Sequence, residues 1–363
     1  MKIAHLTSVH GPFDTRIFHK ECISLAKAEY EVHLVVGATT SNHVDGVQIH
    51  GVTTKVGGRL KRMLSTVYRV YRKALEVDAS IYHLHDPELI PIGLLLKRRG
   101  KIVIFDSHED YPADIRSKKW IHPFFRRPIS WAFSRLEHYA YPKLDAVVVV
   151  HEELANRISR IQPSTAIVHN FPVIDSQFHP KMQRNRRFLW LGMLNSIRGS
   201  AQIGTAITGI DNITLDVIGP IGGDIALGDR IRVLGSFPQH VAMEMAAYYL
   251  AGLVTYLPEP NHIDALPNKL FEYMALGLPV IASNFPKWRR IVEDSNCGLL
   301  VDPTKPSEIA EAMLWMYQNP EKALEMGLRG REAVLRKYSW ESEEKMLLDT
   351  YRSCLENHNN SRR

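Results

Sequence analysis

The sequence contains little cysteine and no apolar run long enough to cross a membrane. Its three cysteines, Cys22, Cys297 and Cys354, show no paired spacing, which excludes a disulfide scaffold and a cysteine-based zinc or redox motif. The longest apolar stretches, such as 89–96 and 146–150, fall well short of the ~20 residues of a membrane-spanning helix. The opening residues, MKIAHLTSVHG, are typical of a first strand rather than of a signal peptide, so we expect a cytoplasmic location.

Two familiar motifs are also missing. No Asp-x-Asp occurs anywhere in the chain, although many enzymes use this acid pair to hold a divalent cation beside a diphosphate. No G-x-G-x-x-G follows the first apolar run, which disfavours a nicotinamide-dependent dehydrogenase. The overall composition, 45% hydrophobic and 23% charged, is that of a globular protein. At about 100–200 residues per domain, the 363 residues predict two domains.

The net charge of +6 is concentrated in two segments of the first half. Segments 59–73 and 116–135 each contain six basic residues and no acidic one, and the rest of the chain carries 33 basic against 39 acidic residues. We therefore expect the first half to meet something anionic and extended.

Short apolar runs alternate with helical patterns along the chain. This alternation predicts two doubly wound α/β domains, 1–175 and 176–339, with parallel sheets covered on both faces and a ligand cleft between them. A proline-marked stretch at 171–183 separates the two halves. The predicted strands are 3–7, 32–36, 81–84, 102–105, 146–150, 188–191, 215–218, 231–234, 253–256 and 279–282. The predicted helices include 17–28, one from about 198, 267–276, 307–317, 320–337 and 340–357.

The sharpest motif is the segment 264–283, DALPNKLFEYMALGLPVIAS. Pro267 suits the first turn of a helix, whose free N–H groups and dipole favour an anion. Lys269 adds a positive charge in that turn, and Glu272 lies on the same face, where it can accept hydrogen bonds from vicinal hydroxyls such as those of a ribose. Asp264 precedes the helix and can hold other hydroxyls. Singly, these residues are better explained as a helix-start proline, a solvated lysine and an ion-paired glutamate; together they favour a ligand site.

Four segments resemble a known family. PNKLFEYMALGLPVIAS is similar to the donor-binding segment of the retaining glycosyltransferases of family four, which have the GT-B fold. TSVHGPFDTRIFHKECISLAKAEYEVHLV, HLHDPELIPIGLLLKRRGKIVIFDSHEDYP and FLWLGMLNSIRG resemble a bacterial branch of that family acting in surface polysaccharide assembly. The resemblance implies two Rossmann-like domains facing a cleft, with an N-terminal acceptor domain and a C-terminal nucleotide-sugar domain. It also implies that the last helix, 340–357, packs back on the first domain.

The resemblance further implies the catalytic residues. Lys269 and Arg198 match the basic pair that clamps the donor diphosphate in this family, and His108 matches the histidine near the reacting carbon. Met193 follows Gly192 where many relatives have arginine, so we expect the clamp to rely on Arg198 and Lys269 alone.

The donor-binding residues follow in the same way. Glu272 matches the ribose-binding acid, and Asp264 stands where the family has the first glutamate of a carboxylate pair. Asn268 and Leu270 belong to the matching segment. Gly11 falls in the first strand-to-helix loop, which approaches the diphosphate in relatives, although the usual paired glycines are absent here.

No metal or other cofactor is expected. Two cationic side chains and a helix N-terminus can stabilise a departing diphosphate without a cation, while the retaining stereochemistry rests on the resemblance. His83, His85, Asp86 and His108 could be drawn as a metal site. We interpret them instead as hydrogen-bonding groups at strand ends, since no cysteine or second carboxylate completes the set.

The two basic segments suggest a membrane surface as a partner. The first carries an apolar stripe and the second interleaves aromatic residues with its charges, a pattern that suits an anionic membrane. The alternative is that the stripes pack on the sheet and the charges are solvated. With lipid-linked acceptors common in the resembled family, we favour peripheral binding at the inner face of the cytoplasmic membrane. The stripe comprises Leu60, Met63, Leu64, Val67, Tyr71 and Ala74, and the aromatic residues are Trp120, Phe124, Phe125, Trp131 and Phe133.

The sequence thus predicts a retaining hexosyltransferase that moves a sugar from a UDP- or GDP-linked donor to a lipid-linked or glycan acceptor in cell-surface polysaccharide biosynthesis. One alternative is a nucleotide-sugar epimerase of the same paired-domain fold, which would need no membrane patch. Another is a nucleic-acid-binding protein that uses the basic segments. That alternative lacks a recognised binding motif and leaves PNKLFEY unexplained, so we expect no nucleic acid as a partner.

Overall fold

The structure, a computed structural model, describes residues 1–38, 40–53, 59–118, 121–175, 177–223 and 228–360, with the backbone alone at 59–63, 260 and 261. The chain divides into two compact units. The first consists of Met1–Asn170 and the last helix, and the second is Phe171–Ser339. The division falls slightly before residue 175 because Phe171 packs against Phe271 and Tyr338 in the second unit, with ring centroids 4.8 Å and 5.4 Å apart.

The first unit contains an eight-stranded sheet among its described residues. Its strands are β1 (Lys2–Leu6), β2 (Glu31–Val36), β3 (Asn42–Val44), β4 (Val47–Gly51), β5 (Ile81–Leu84), β6 (Ile102–Ser107), β7 (Ala146–Val149) and β8 (Thr165–Ile167). The spatial order is β3-β4-β2-β1-β5-β6-β7-β8, parallel apart from β3. Strands β5, β6 and β7 are buried along their whole length, as their continuous apolar character predicts.

Helices connect these strands. They are α1 (Ile23–Lys27), α2 (Arg59–Val77), α3 (Ile90–Arg98), α4 (Tyr111–Ser117), α5 (Pro123–Ala140) and α6 (Glu152–Ile158). The predicted single helix over 17–28 is in fact two pieces, because Ile17–Cys22 forms a π-helical turn before α1. In this wider turn the Glu21 N–H donates to the Arg16 carbonyl, and the Glu21 side chain is fully buried.

The apolar stripe of α2 belongs partly to the core. Ala74 is buried, and Val67 and Tyr71 pack against the same core cluster, whereas Leu64 is 58% exposed. The interpretation of the whole stripe as a membrane-facing surface is therefore wrong for these three residues, since the sheet already covers them. The side chains of Leu60 and Met63 lie outside the described part of the chain.

The second unit is built on a parallel six-stranded sheet in its described residues. Its strands are β9 (Phe188–Leu191), β10 (Leu194–Asn195), β11 (Leu215–Ile218), β12 (Ile221–Gly222), β13 (Ile231–Gly235), β14 (Ala251–Val254), β15 (Val280–Ser283) and β16 (Gly298–Val301). The order of the sheet is β13-β11-β9-β14-β15-β16, and β10 pairs separately with β12. Its helices are α7 (Ser200–Thr208), α8 (Gln239–Ala246), α9 (Pro260–Ile263), α10 (Asn268–Ala275), α11 (Pro286–Ser295), α12 (Pro306–Gln318) and α13 (Pro320–Lys337).

Several boundaries differ from the predicted ones by one to three residues, and two of the differences have a physical reason. Strand β14 starts two residues earlier than expected, at a small Ala-Gly pair whose composition is a weak strand signal. Gly252 is needed there because a Cβ would lie 2.4 Å from the ring of Tyr273. Pro267 caps α10 with extended backbone angles (φ −74°, ψ 130°) instead of forming its first turn.

The last helix, α14 (Trp340–Asn360), packs on the first unit. The Trp340 indole N–H donates to the Ser24 hydroxyl at 2.8 Å, and the Tyr351 hydroxyl lies 2.8 Å from Nδ1 of His83. Leu347 and Tyr351 are fully buried in the core that covers one face of the sheet. The chain thus returns to its first unit after completing the second.

Candidate active site

Loops following β9, β11 and β14 meet at the carboxyl end of the second unit's sheet, where these strands are neighbours. Their backbones come so close that side chains are excluded. A Cβ at Gly219 would lie 2.4 Å from the backbone of Gly192, and one at Gly199 would lie 2.5 Å from the carbonyl oxygen of Thr255. Gly192 and Gly199 also have φ values of 82° and 81°, a left-handed conformation that favours glycine. The glycines therefore allow the loops to close on one another.

Helix α10 begins beside these loops and carries Lys269 in its first turn. The Lys269 ammonium donates a hydrogen bond to the Tyr256 hydroxyl at 3.2 Å and lies 5.8 Å from the ring centroids of both Tyr256 and Trp190. Burial lowers the pKa of Lys269 to about 8, and the charge of Arg198 adds to the shift. An anion bound at this ammonium would favour its charged form.

Arg198 approaches the same tyrosine from the short helical turn Ser196–Arg198. Its guanidinium carbon lies 5.4 Å from the Tyr256 ring centroid, and its Nη1 donates to the Met193 carbonyl at 2.8 Å. The buried Nε has no hydrogen-bond partner among the described residues. Two cationic groups therefore contact the same tyrosine, and Arg198 keeps an N–H for a ligand.

The remaining donor-binding candidates lie along α10 and before it. Asn268 is the first residue of the helix, and Glu272 acts electrostatically on Lys269 from one turn further along. The Leu270 side chain is fully buried in the core, so its main chain is the part that can serve a ligand. Asp264 is exposed after α9, and its carbonyl accepts a hydrogen bond from Lys287 at 2.6 Å.

Sequence reasoning missed Tyr256, Trp190 and the close contact at Gly192. A Cβ on Gly192 would lie 3.1 Å from the Lys269 ammonium nitrogen. Tyr256 follows a buried strand, which is a position at the ligand-binding edge of a parallel sheet. That position was the available signal, but an aromatic residue there is equally typical of a core.

His108 belongs to the first unit and directly follows β6. Its Nε2 lies 3.1 Å from a carboxylate oxygen of Asp106, and about a fifth of its side chain (21%) is exposed. Asp106 is fully buried and accepts two hydrogen bonds from Arg16, at 2.8 Å and 3.1 Å. Burial alone would raise the pKa of Asp106, but the charges of Arg16 and His108 hold it well below its usual range. A buried carboxylate that favours its ionised form therefore lies beside His108.

The loop that holds Gly11 is fixed by Asp86. One Asp86 oxygen accepts hydrogen bonds from the Thr7 hydroxyl at 2.8 Å and the Ser8 N–H at 2.6 Å, and the other lies 3.1 Å from Nδ1 of His10. Burial alone would raise the pKa of Asp86, but these contacts outweigh it and lower the pKa to about 2. A Cβ at Gly11 would meet no atom within 4 Å, so crowding does not require glycine there.

The structure does not gather the four residues considered above as a metal site, His83, His85, Asp86 and His108, around one centre. Asp86 accepts hydrogen bonds from the loop after β1, and His108 contacts Asp106. His83 and His85 instead face His5 and Glu21 in the interior of the first unit. The expectation that no further carboxylate lies near these histidines is therefore wrong, because the π-helical turn brings Glu21 to them.

Among the described helices, none combines the length and the apolar character needed to cross a bilayer.

Family comparisons match both units. Residues 15–172 match the model described as Glycosyltransferase Family 4, and residues 186–319 match the model described as Glycosyl transferases group 1. The two matches cover the two parallel-sheet units in turn, as the GT-B architecture of paired Rossmann-like domains requires. The chain thus belongs to the glycosyltransferases of the family-four and group-1 type.

Individual relatives share parts of the sequence or the whole fold. The D-inositol 3-phosphate glycosyltransferase of Paenarthrobacter aurescens (strain TC1) is 28% identical over 118 residues, which are 32% of this chain and 28% of that protein. Matches to three such curated relatives span 28%, 29% and 36% of their lengths.

Two solved structures match nearly end to end. Sucrose-phosphate synthase from Thermosynechococcus elongatus has a TM-score of 0.77 at 16% identity, with 98% of this chain and 99% of that one covered. Anabaena HepE in complex with UDP-glucose has a TM-score of 0.69 at 14% identity, covering 97% and 100%. At these identities the likeness establishes the fold.

Proposed function

We propose that the chain transfers a sugar, with retention, from a nucleotide-diphosphate donor to a lipid-linked or oligosaccharide acceptor in cell-surface polysaccharide biosynthesis. The observation that carries this proposal is the pair of cations, Arg198 and Lys269, that both contact Tyr256 beside the N-terminus of α10. Cleavage of the sugar–phosphate bond leaves negative charge on the departing diphosphate. Fixed cations and a helix N-terminus stabilise that charge without reorganising.

Five of the candidate residues have a role in this reaction. Lys269 and Arg198 bind the diphosphate, Glu272 accepts hydrogen bonds from the ribose, and Asp264 binds hydroxyls of the sugar. His108 stands near the reacting carbon. Because the leaving group is neutralised by side chains, the transfer needs no divalent cation.

A thermal-shift screen with UDP, GDP, ADP and their sugars tests the donor. UDP-glucose is the ligand named for the Anabaena structure, so we expect a UDP- or GDP-linked series to stabilise the protein, by about 2.7 kcal/mol at a hundredfold excess over the dissociation constant. Lys269→Ala should reduce the shift, whereas Lys322→Ala, which changes an exposed lysine on α13, should retain it in full. A wild-type protein that no nucleotide stabilises would contradict the proposal.

We also propose that α5 binds the inner face of the cytoplasmic membrane. It exposes Phe124 (75%), Phe125 (54%) and Trp131 (66%), and the guanidinium of Arg135 lies 5.8 Å from the Trp131 ring centroid. Exposed aromatic residues beside basic ones suit the boundary of an anionic bilayer. Lys119 and Trp120 of the same basic segment lie outside the described residues.

Co-sedimentation with vesicles tests this surface. We expect binding to vesicles with anionic lipids, weaker binding to neutral ones, and loss of binding in a Phe124→Ser/Trp131→Ser double variant. Phe237→Ser, which changes an exposed aromatic residue of the second unit (41% exposed), is the matched control. Tighter binding to an oligonucleotide than to anionic vesicles at the same salt concentration would argue against the membrane.

A further inference from the structure

Three histidines and a glutamate meet in the interior of the first unit. Strands β1 and β5 pair in parallel with His5 opposite His83, so these two residues and His85, two positions on, project from the same face of the sheet. Glu21 reaches them from the π-helical turn. All four side chains are fully buried or within 1% of it.

The glutamate lies between the imidazoles without bonding to any of them. Its Oε2 is 3.7 Å from His5 Nδ1, 3.7 Å from His85 Nε2 and 3.8 Å from His83 Nδ1, beyond hydrogen-bond distance. Neither carboxylate oxygen has a hydrogen-bond partner among the described residues. Arg16 Nε lies 3.0 Å from the Oε1 atom, but it donates its hydrogen to Asp106. A buried carboxyl group without hydrogen bonds is costly, and a cation bound among the four groups would satisfy it.

We propose that His5, His83, His85 and Glu21 bind one zinc ion in a closed structural site. The three distances from Glu21 Oε2 to the ring nitrogens are 3.7–3.8 Å, and a regular tetrahedron with that edge has its centre about 2.3 Å from each corner, close to the ~2.0–2.2 Å of zinc bonds to nitrogen and oxygen. His5 Nδ1 and His85 Nε2, which are 2.9 Å apart, must separate by a few tenths of an ångström. Three imidazoles favour zinc over calcium or magnesium, which prefer oxygen ligands.

The surrounding residues agree with this ligand set. The Tyr351 hydroxyl lies 3.2 Å from His5 Nε2, the ring nitrogen that faces away from the ion, and 2.8 Å from His83 Nδ1, a contact that the bond to zinc would replace. A second possible set, His85, Asp106 and His108, is disfavoured because Arg16 already occupies both oxygens of Asp106. The ion would join β1, β5 and the π-helical turn. Through the contact between His5 and Tyr351 it would also stabilise the packing of α14 on the first unit. This role is separate from the proposed transfer, since all four ligands come from the protein and none is a clamp residue.

The zinc content of the purified full chain tests the proposal. After expression with added zinc and dialysis against EDTA, we expect about one ion per chain, because a closed, buried site exchanges its ion slowly. Glu21→Gln and His85→Ala should each lose the ion and melt at a lower temperature. His33→Ala is the matched control, because the buried His33 forms another histidine contact, 2.8 Å from the half-buried His50, on strands β2 and β4; this variant should keep the ion.

A second measurement does not depend on whether the variants fold. Wild-type protein refolded with cobalt(II) should show the visible absorption of a tetrahedral site, without the thiolate charge-transfer band that Cys22, Cys297 or Cys354 would produce. Two results would overturn the proposal. One is a wild-type protein that takes up no metal on refolding and melts at the same temperature with and without zinc. The other is zinc retained at wild-type levels by both Glu21→Gln and His85→Ala.

Discussion

Lys269 donates its hydrogen bond to Tyr256, a neutral acceptor, at 3.2 Å. Burial raises the pKa of Tyr256 to about 12, so its hydroxyl stays protonated and does not neutralise the lysine. Arg198 lies against the same ring and adds a second positive charge, which Glu272 offsets only in part. The site therefore has an excess of positive charge that a diphosphate would balance.

Replacing Lys269 by alanine should lower turnover by about 10²–10³, the usual effect of removing one donor from an electrostatic clamp. The melting temperature should change little, because the ammonium contributes little to the core. Steady-state assays at saturating donor, with calorimetry of the same samples, measure both quantities. Near-normal turnover would place the diphosphate elsewhere.

Two further variants of α10 test the shape of the cation at position 269 and the hydrogen bonds of Glu272. Lys269→Arg keeps the positive charge but places it on a planar guanidinium, so this variant should have only part of the wild-type activity. Glu272→Gln should weaken donor binding more than it lowers turnover, because it weakens hydrogen bonds to the ribose and leaves the phosphate contacts. The comparison of KM with kcat in the two variants checks this difference.

Gly192→Ala should reduce activity although it replaces no charged residue. The added Cβ would lie 3.1 Å from the Lys269 nitrogen, at a backbone φ of 82° that is strained for alanine by roughly 1–2 kcal/mol. A shifted ammonium should cost about tenfold or more in turnover. Gly204→Ala is the control, since a Cβ there meets no atom within 4 Å in the middle of α7; equal activity of the two variants would show that the contact at Gly192 is irrelevant.

Continuous apolar strands were predictable from the sequence, and very short or polar ones were not. The strands 81–84, 188–191 and 215–218 have the same bounds in the structure, because burial on both faces of a parallel sheet leaves a mostly apolar run. The helix 320–337 also has the predicted bounds. Strands β10 and β12 contain two residues each, too few for any periodicity to appear.

The candidate site was predictable where local sequence determines it. Lys269 and Glu272 share a helix face at a spacing that can be derived from the helical period. Glu21 is different, because a π-helical turn changes which side of a helix faces the sheet, and the sequence pattern indicates an ordinary α-helix. Tyr256 meets Arg198 and Lys269 through long-range packing, which no local pattern specifies.

Chelation should leave the transfer reaction unaffected. The chain has no Asp-x-Asp, and Arg198 and Lys269 supply the positive charge that a divalent cation supplies elsewhere. Turnover in EDTA should therefore equal turnover in magnesium. Because a structural zinc ion is also proposed, the metal content of each assayed sample should be measured. Loss of activity in EDTA at unchanged zinc content, restored by magnesium or manganese, would contradict the metal-independent mechanism.

Donor binding should weaken as the pH rises above about 8. Burial and Arg198 lower the pKa of Lys269 to about 8 in the free protein, and a bound diphosphate favours the charged ammonium and raises that pKa. Below pH 8 the lysine is already charged and affinity should be flat. Above it, each binding event must take up a proton, so the dissociation constant should rise by up to about tenfold per pH unit. Titration calorimetry with UDP or GDP, whichever binds, from about pH 7, above the second pKa of about 6 of a terminal phosphate, to about pH 9 in buffers of different ionisation enthalpy, measures both the affinity and the proton uptake. Lys269→Arg should bind with an affinity that does not change over this range, since a guanidinium stays charged. The same decline in both proteins would assign the titration to another group.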